Sequence, residues 1–418
     1  MAERWVATTI GELAQVKGGK RLPAGTSLQD APTPHPYLRV TDMYNGGVYE
    51  SDLKFVPIAA APAISAYRIG ADDIFISVAG SLGIVGRVPA SLDGANLTEN
   101  ADRLTNIKCD VDYLMYYLLS EPIQNEIDSI RTVGAQPKLA LGRIKSFEVK
   151  LPASRTDQAR ISGALRGIDE LIHALVGLIG KKQAIKEGVV QRMLSGTVRL
   201  PGFTRPWMTA SLADVADGRD SHSLVGGPFG SSLTSSEYTV SGVRILQLQN
   251  IGDGRFCEGY AVFTSSHKAD RLKTCNIYPG DVLIAKMGDP VARACLVPGG
   301  ADRYVMSSDG IRLAVDERRY DRQLVKELIN ARPFRDAAEA VSSGSTRKRI
   351  TLSALRHLTL LLPTDLDEQR AVGGLVADLD GEIDVLERRL EAARAIKQGM
   401  MQELLTGRTR LGVEGDAA

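Results

Sequence analysis

A stretch of fifty residues occurs twice in this chain, and it limits the architecture more than any other feature. Leu151-Pro152 opens the first copy and Gln158 follows; it closes on Ala184-Ile185-Lys186, Gly188, Gln191, Leu194, Gly196 and Arg199-Leu200. The pattern returns 211 residues later as Leu362-Pro363, Gln369, Ala395-Ile396-Lys397, Gly399, Gln402, Leu405, Gly407 and Arg410-Leu411. Sixteen of the fifty positions are identical without a gap, and a repeat of this length is far too long for a solenoid unit. The chain is a duplicated half-protein.

Within each copy the apolar residues alternate by four and three. Ile161, Leu165, Ile168, Ile172, Leu175 and Ile179 form one seam, and Val372, Val376, Leu379, Ile383, Leu386 and Leu390 form the other in the same phase. Past Lys182 the first seam shifts to Ile185, Val189 and Met193, a stutter that loosens a supercoil. A helix over residues 157–194 would be ~57 Å long, and one such rod cannot bury its own stripe. Two in one chain are expected to pack on each other, with a homodimeric coiled coil as the alternative. The matched glycines Gly163 and Gly374, and Gly188 and Gly399, suggest close helix approach.

The segments before each helix read as mixed α/β. Strands are expected over Tyr37–Thr41, Asp73–Val78, Ile84–Val88 and Phe147–Leu151, with a turn at Ala79–Gly83, helices over Asp112–Ser120 and Pro122–Ile130, and a polar loop at Gly134–Lys138. The second segment echoes the first with a drifting offset: Trp5 to Trp207 at 202, Gly80 to Gly288 at 208, Arg103-Leu104 to Arg312-Leu313 at 209, Gly134 to Gly344 at 210. Such drift describes one fold with small loop insertions. The expected class is α+β: two mixed domains over 1–155 and 204–365, long helices over 156–203 and 366–412 paired antiparallel with pseudo-two-fold symmetry, and a disordered tail over 413–418.

The charges nearly cancel, 51 Lys and Arg against 50 Asp and Glu, so no global basic character marks a nucleic-acid or membrane partner. Four cysteines (Cys109, Cys257, Cys275, Cys295) show no C-x-x-C spacing, and five histidines are scattered singly, so a reduced compartment and no metal are expected. The start lacks a signal pattern and no apolar run approaches ~18 residues. A cytoplasmic location is the simplest expectation.

At this point the chain resembles the specificity subunit of a Type I restriction–modification system, over essentially its whole length. The carriers are the helix endings Ile185–Gly196 and Ile396–Gly407, the entries Leu151-Pro152…Gln158 and Leu362-Pro363…Glu368-Gln369, and Gly344-Ser-Thr-Arg-Lys-Arg-Ile-Thr-Leu352. The first copy departs from the last of these, reading Gly134-Ala-Gln-Pro-Lys-Leu-Ala-Leu141. The resemblance implies two target recognition domains, each reading half of a bipartite double-stranded DNA target, with the helices acting as a ruler and docking two DNA-methyltransferase subunits. It also implies restriction/translocase subunits where the system has them, and no membrane. Such a chain holds no cofactor itself; S-adenosylmethionine, and ATP with Mg where a nuclease subunit exists, belong to the partners. Two heads about one turn of B-DNA apart, ~34 Å, suit a rod of this size.

Catalytic motifs are missing. There is no G-x-x-x-x-G-K-[ST], no G-x-G-x-x-G and no Asn-Pro-Pro-Tyr/Phe tetrad. Lys17-Gly-Gly-Lys20 has the wrong spacing for a phosphate loop, and Gly226-Gly-Pro-Phe-Gly-Ser-Ser232 lacks a strand-to-helix setting. Glu148-x-Lys150 looks like a nuclease pair, but Thr359 and Leu361 replace it in the second copy, so it reads as a solvated strand edge. DNA contact must then come from local loops. The candidates are Lys17, Lys20 and Arg21; Gln136 and Lys138; Lys286 beside Gly288; and Thr346 with Arg347, Lys348 and Arg349. Arg and Lys pair with phosphates or guanine, and Gln with adenine. Aromatics at 5% disfavour a single-strand binder built on stacking. A coiled-coil adaptor whose globular domains bind protein is the competing reading.

Overall fold

In the computed structural model, residues 5–131, 137–194, 196, 198–344 and 347–411 are described. The chain divides into two compact units, residues 1–176 with 388–418, and residues 177–387. Each unit holds one globular segment and one part of each long helix.

The first unit is built on a four-stranded sheet of β1 (Gln15–Gly18), β2 (Ile74–Ser77), β3 (Val85–Arg87) and β4 (Ala101–Thr105), in the order β1-β4-β2-β3. Every residue of β2 is buried, as expected of an inner strand covered on both faces. A second sheet runs Lys54–Phe55, Pro36–Leu38, Ala95–Leu97, Arg68–Ile69. In it Ala95–Leu97 lies parallel to Pro36–Leu38 and antiparallel to Arg68–Ile69. The strand expected over Tyr37–Thr41 stops at Leu38. Asp42 accepts from the Arg39 N–H at 2.8 Å and its Nε at 3.0 Å, which winds Val40–Asp42 into a 3₁₀ turn.

The second unit repeats this plan. Strands β5 (Leu224–Gly226), β6 (Val282–Ala285), β7 (Ala294–Leu296) and β8 (Gly310–Leu313) are ordered β5-β8-β6-β7. Its second sheet again sets one strand, Tyr304–Met306, parallel to one neighbour and antiparallel to the other. The strand Trp5–Thr9 pairs with Glu148–Pro152 in one unit, and Trp207–Ser211 with Thr359–Pro363 in the other. Two mixed α/β domains thus share the order of their main sheet, the second unit's other sheet having one strand more, Tyr238–Thr239, and this is the fold class the repeat implied.

The long helices are α1 (Arg155–Leu194) and α2 (Leu366–Leu404). In the first unit Lys397 of α2 pairs with Asp169 of α1 at 2.6 Å, while Leu404 and Leu405 share a core with Ile161 and Leu165. In the second, Lys182 meets Glu382 and Lys186 meets Asp380, both at 2.5 Å, and Met193 and Leu194 share a core with Val372. In each unit the partner number falls as the residue number rises, so the helices run antiparallel. Ile161, Leu165, Leu175, Ile179, Val372, Val376 and Ile383 are buried, and Ile168, Ile172, Leu379, Leu386 and Leu390 are half-buried.

The matched glycines do not mediate helix approach. A Cβ added at Gly163, Gly188, Gly374 or Gly399 would meet nothing within 4 Å, because these positions face away from packed atoms. The tight position is Gly373, where a Cβ would lie 2.4 Å from Asp321 Oδ1. Its counterpart Ser162 instead donates from Oγ to Asp110 Oδ1 at 2.8 Å.

No helix among the described residues is long and apolar enough to cross a membrane. Glu148 and Lys150 stand exposed on their strand, and no metal-holding group of three or more His, Cys, Asp or Glu occurs among the described residues.

Candidate nucleic-acid interface

Backbone hydrogen bonds gather four segments at one end of the main sheet in each unit. In the second unit Gly227 leaves β5 and donates to Gly310 O at 2.8 Å, at the start of β8. Lys286, leaving β6, donates to Asp309 O at 2.7 Å and accepts from Ile350 N at 2.9 Å. Gly288 N donates to Lys348 O at 3.1 Å, and Met287 bridges Arg349. The sequence candidates Lys286, Arg347, Lys348 and Arg349 therefore form one cluster. Thr346 lies outside the described residues.

The side chains of this cluster divide into two sorts. Arg349 Nη2 bonds Asp309 Oδ1 at 2.5 Å, and Lys348 is paired with Glu339. Lys286 and Arg347 have no side-chain ion pair among the described residues, which leaves their charges available to an anion. Arg293 stands beside them, its Nη2 3.3 Å from where a Gly288 Cβ would be. Arg335 is buried, and its Nη2 bonds Asp253 Oδ1 at 2.5 Å. Desolvation lowers the Arg335 pKa from the usual guanidinium range.

The first unit places its candidates on the matching segments. Gly19 N donates to Ala101 O at 3.0 Å, Lys20 N to Leu97 O at 2.8 Å, Val78 N to Asn100 O at 2.7 Å, and Leu139 N to Val78 O at 3.0 Å. Lys20, Arg21 and the exposed Lys138 thus share one strand end, and Lys17 is exposed on the adjoining edge strand β1, opposite Arg103. Lys20 lies 5.6 Å over the Tyr67 ring, and Arg21 pairs with Glu99 at 2.7 Å. Buried Asp102 has its carboxyl pushed up to about 6 by desolvation, against the pull of the Lys138 charge. Gln136 lies outside the described residues.

The two glycine pairs dismissed as phosphate loops turn out to be the same structural part. A Cβ at Gly19 would sit 2.0 Å from Thr98 O, and one at Gly227 1.7 Å from Ser307 O. Only glycine fits where the loop crosses the neighbouring backbone this closely. The signal was present in the sequence, since 18-19 and 226-227 differ by the 208 that also separates Gly80 from Gly288. Arg293, Arg335 and exposed Phe229 gave no such signal: Ile84 stands in the place of Arg293 and Arg21 in that of Phe229.

Two α/β modules of one topology, tied to paired helices and each presenting glycine loops and cations at a sheet end, are the build of a nucleic-acid recognition subunit. Comparison with known proteins agrees. Residues 2–186 match the family model described as Type I restriction modification DNA specificity domain. The Type I restriction enzyme MjaVIII specificity subunit of Methanocaldococcus jannaschii is 21% identical, over 98% of this chain and 94% of its own. Among solved structures, the Type I restriction–modification S subunit from M. genitalium superposes with a TM-score of 0.64 at 16% identity, covering 96% of both chains. A chain from a structure of type I R-M complex assembly and conformational transition gives 0.51 at 18% identity, covering 96% of this chain and 97% of its own. Over residues 2–186 this chain is similar to the Type I restriction modification DNA specificity domain, and along its length it has the fold of the S subunits of such systems. The role that goes with this likeness is DNA recognition.

Proposed function

We propose that each unit reads one half of a bipartite duplex target. Residues 1–155 and 204–365 serve as the two recognition domains. Residues 156–203 and 366–412 set the spacer between half-sites and dock two methyltransferase subunits, with restriction subunits joining where the system has them. The tail proposed over 413–418 lies outside the described residues. S-adenosylmethionine, ATP and Mg are left to the partners.

The observation that carries this reading is the strand end built twice from the same four segments with different side chains. Matching bonds of Gly19 and Gly227, Val78 and Lys286, and Leu139 and Ile350 bring Lys20, Arg21 and Lys138 in one unit and Lys286 and Arg347–Arg349 in the other to the same strand end. A shared frame with divergent side chains is what two different half-sites require. Lys17, Lys138, Lys286 and Arg347 supply phosphate contacts, and the ion-paired Arg21, Lys348 and Arg349 exchange carboxylates for phosphates or base edges.

The test is binding of the assembled methyltransferase complex to its duplex across salt. Affinity should fall steeply as salt rises, and K286A with R347A should flatten the slope by about one per lost phosphate contact. Salt-independent binding, or an unchanged slope in the variant, would overturn the reading and favour a protein-binding adaptor.

A further inference from the structure

Phe229 is 87% exposed, the most exposed aromatic side chain among the described residues. Its position is fixed rather than loose. Two residues before it, Gly227 is pinned to Gly310 by a 2.8 Å hydrogen bond, and no Cβ could fit there. On the other side, Ser232 N donates to Phe229 O at 2.7 Å, closing a 3₁₀ turn over Gly230–Ser232. Leu233 then re-enters an apolar core. A short, doubly anchored loop holds one bare ring out in solvent, flanked by glycine and serine that leave room for a large partner.

The same hydrogen bonds say what lies beside that ring. Gly310, which receives Gly227, follows Asp309, whose carbonyl takes the Lys286 N–H and whose carboxylate holds Arg349. The ring therefore emerges from the strand end that carries the second unit's cations. An apolar ring beside phosphate-binding cations is the arrangement by which a protein pries at a base-pair step. In the first unit the matching position is Arg21, which is bound to Glu99, so that unit has no such ring there.

We propose that Phe229 is a wedge that presses into a base-pair step of the half-site held by the second unit and unstacks it. Lys286 and Arg347 hold the flanking phosphates. The inference rests on the DNA-reading function above, and it makes that function asymmetric: one half-site is deformed and the other is not.

The experiment uses the whole chain assembled with its methyltransferase subunits and duplexes carrying 2-aminopurine at each step of each half-site in turn. Binding should raise fluorescence at a step of one half-site only, the half that changes when residues 207–361 are exchanged. Phe229→Ala should abolish that rise and weaken specific binding about tenfold, as for loss of a buried aromatic anchor, with the salt slope unchanged. Phe229→Leu, which keeps an apolar wedge, should retain most of both. A rise that Phe229→Ala leaves intact, as for a base flipped out by the partner, would overturn the wedge at that step. Phe229→Ala that binds as tightly, with the same rise, would overturn the wedge, as would a rise confined to the other half-site. Loss of subunit assembly rather than of DNA binding would overturn it too, by making Phe229 a protein contact. Failure of the wild-type complex to bind any duplex would sink the DNA-reading function itself.

Discussion

Gln158 and Gln369 recur in the repeat because each locks the same corner. Gln369 Nε2 donates to Pro363 O at 2.8 Å and Arg319 O at 3.1 Å, while its Oε1 accepts from Asp321 N at 2.9 Å. Gln158 makes the matching bonds to Pro152 O at 2.7 Å and from Asp110 N at 2.8 Å. Asp110 and Asp321 in turn cap helices Val111–Leu118 and Arg322–Asn330. Gln369 is fully buried, so Gln369→Ala strands an N–H and two carbonyls without partners and should cost about 2–3 kcal/mol. Urea denaturation of the variant should show a lowered midpoint, and an unchanged midpoint would mean that water or a shifted helix satisfies these groups. This residue was legible in the sequence as a repeated letter, but its job was not, since Pro363 O and Asp321 N are brought to it only by the fold. Gly196 and Gly407 behave likewise. Each ends its helix at a positive φ, 70° and 71°, and lies against a tryptophan, Trp207 and Trp5 respectively.

At the scale of elements, the two helices were the most legible part of the chain, because a 3.5-residue seam over about five turns has few other readings. Short strands were less so. Tyr37–Thr41 alternates as a strand should, yet the bonds between Arg39 and Asp42 compete with the ladder and turn the chain after Leu38. The glycines misled for a different reason: identity across a duplication records descent as well as packing, and the four matched positions touch nothing. A feature that the seam did not announce is a second apolar row. Leu171, Leu178 and Ile185 recur every seven residues on α1 and are 49%, 42% and 52% exposed, whereas the charges between the helices are paired, as in Lys182–Glu382 and Lys186–Asp380. Exposed apolar side chains at heptad spacing support docking of a partner's helices along this face. Leu178→Asp with Ile185→Asp should leave the chain folded by circular dichroism, because both sites are already in solvent, and should abolish co-purification of the methyltransferase subunit. Retained co-purification would move the docking surface elsewhere.

For the whole molecule, duplication separates what must be held constant from what must vary. The fifty-residue repeat keeps its register without a gap, and the parts it keeps are structural: the Gln corners, the seam and the Gly–Trp helix ends. The globular segments keep topology while their strand-end side chains diverge, Val78 against Lys286 and Arg21 against Phe229. A net charge of +1 hides the clustering of cations at these strand ends, because carboxylates elsewhere offset them. Composition therefore could not point to the proposed interface, although loop motifs could narrow it. The same separation makes a prediction about modularity. Each unit has its own apolar cores, and that of the second packs Leu212 and Ile284 of the globular segment onto Met193 and Val372 of the helices, so exchange of residues 207–361 for those of a relative replaces the proposed second reader on a helical floor that stays in place. The exchanged chain should redirect methylation to a target with one half-site altered and the other intact, read by methylome sequencing of cells carrying it. Alteration of both halves would mean that the two readers share contacts and that the duplication has been overwritten by coupling. An unaltered target would place sequence reading outside residues 207–361, and the divergence at that strand end would then need a different cause.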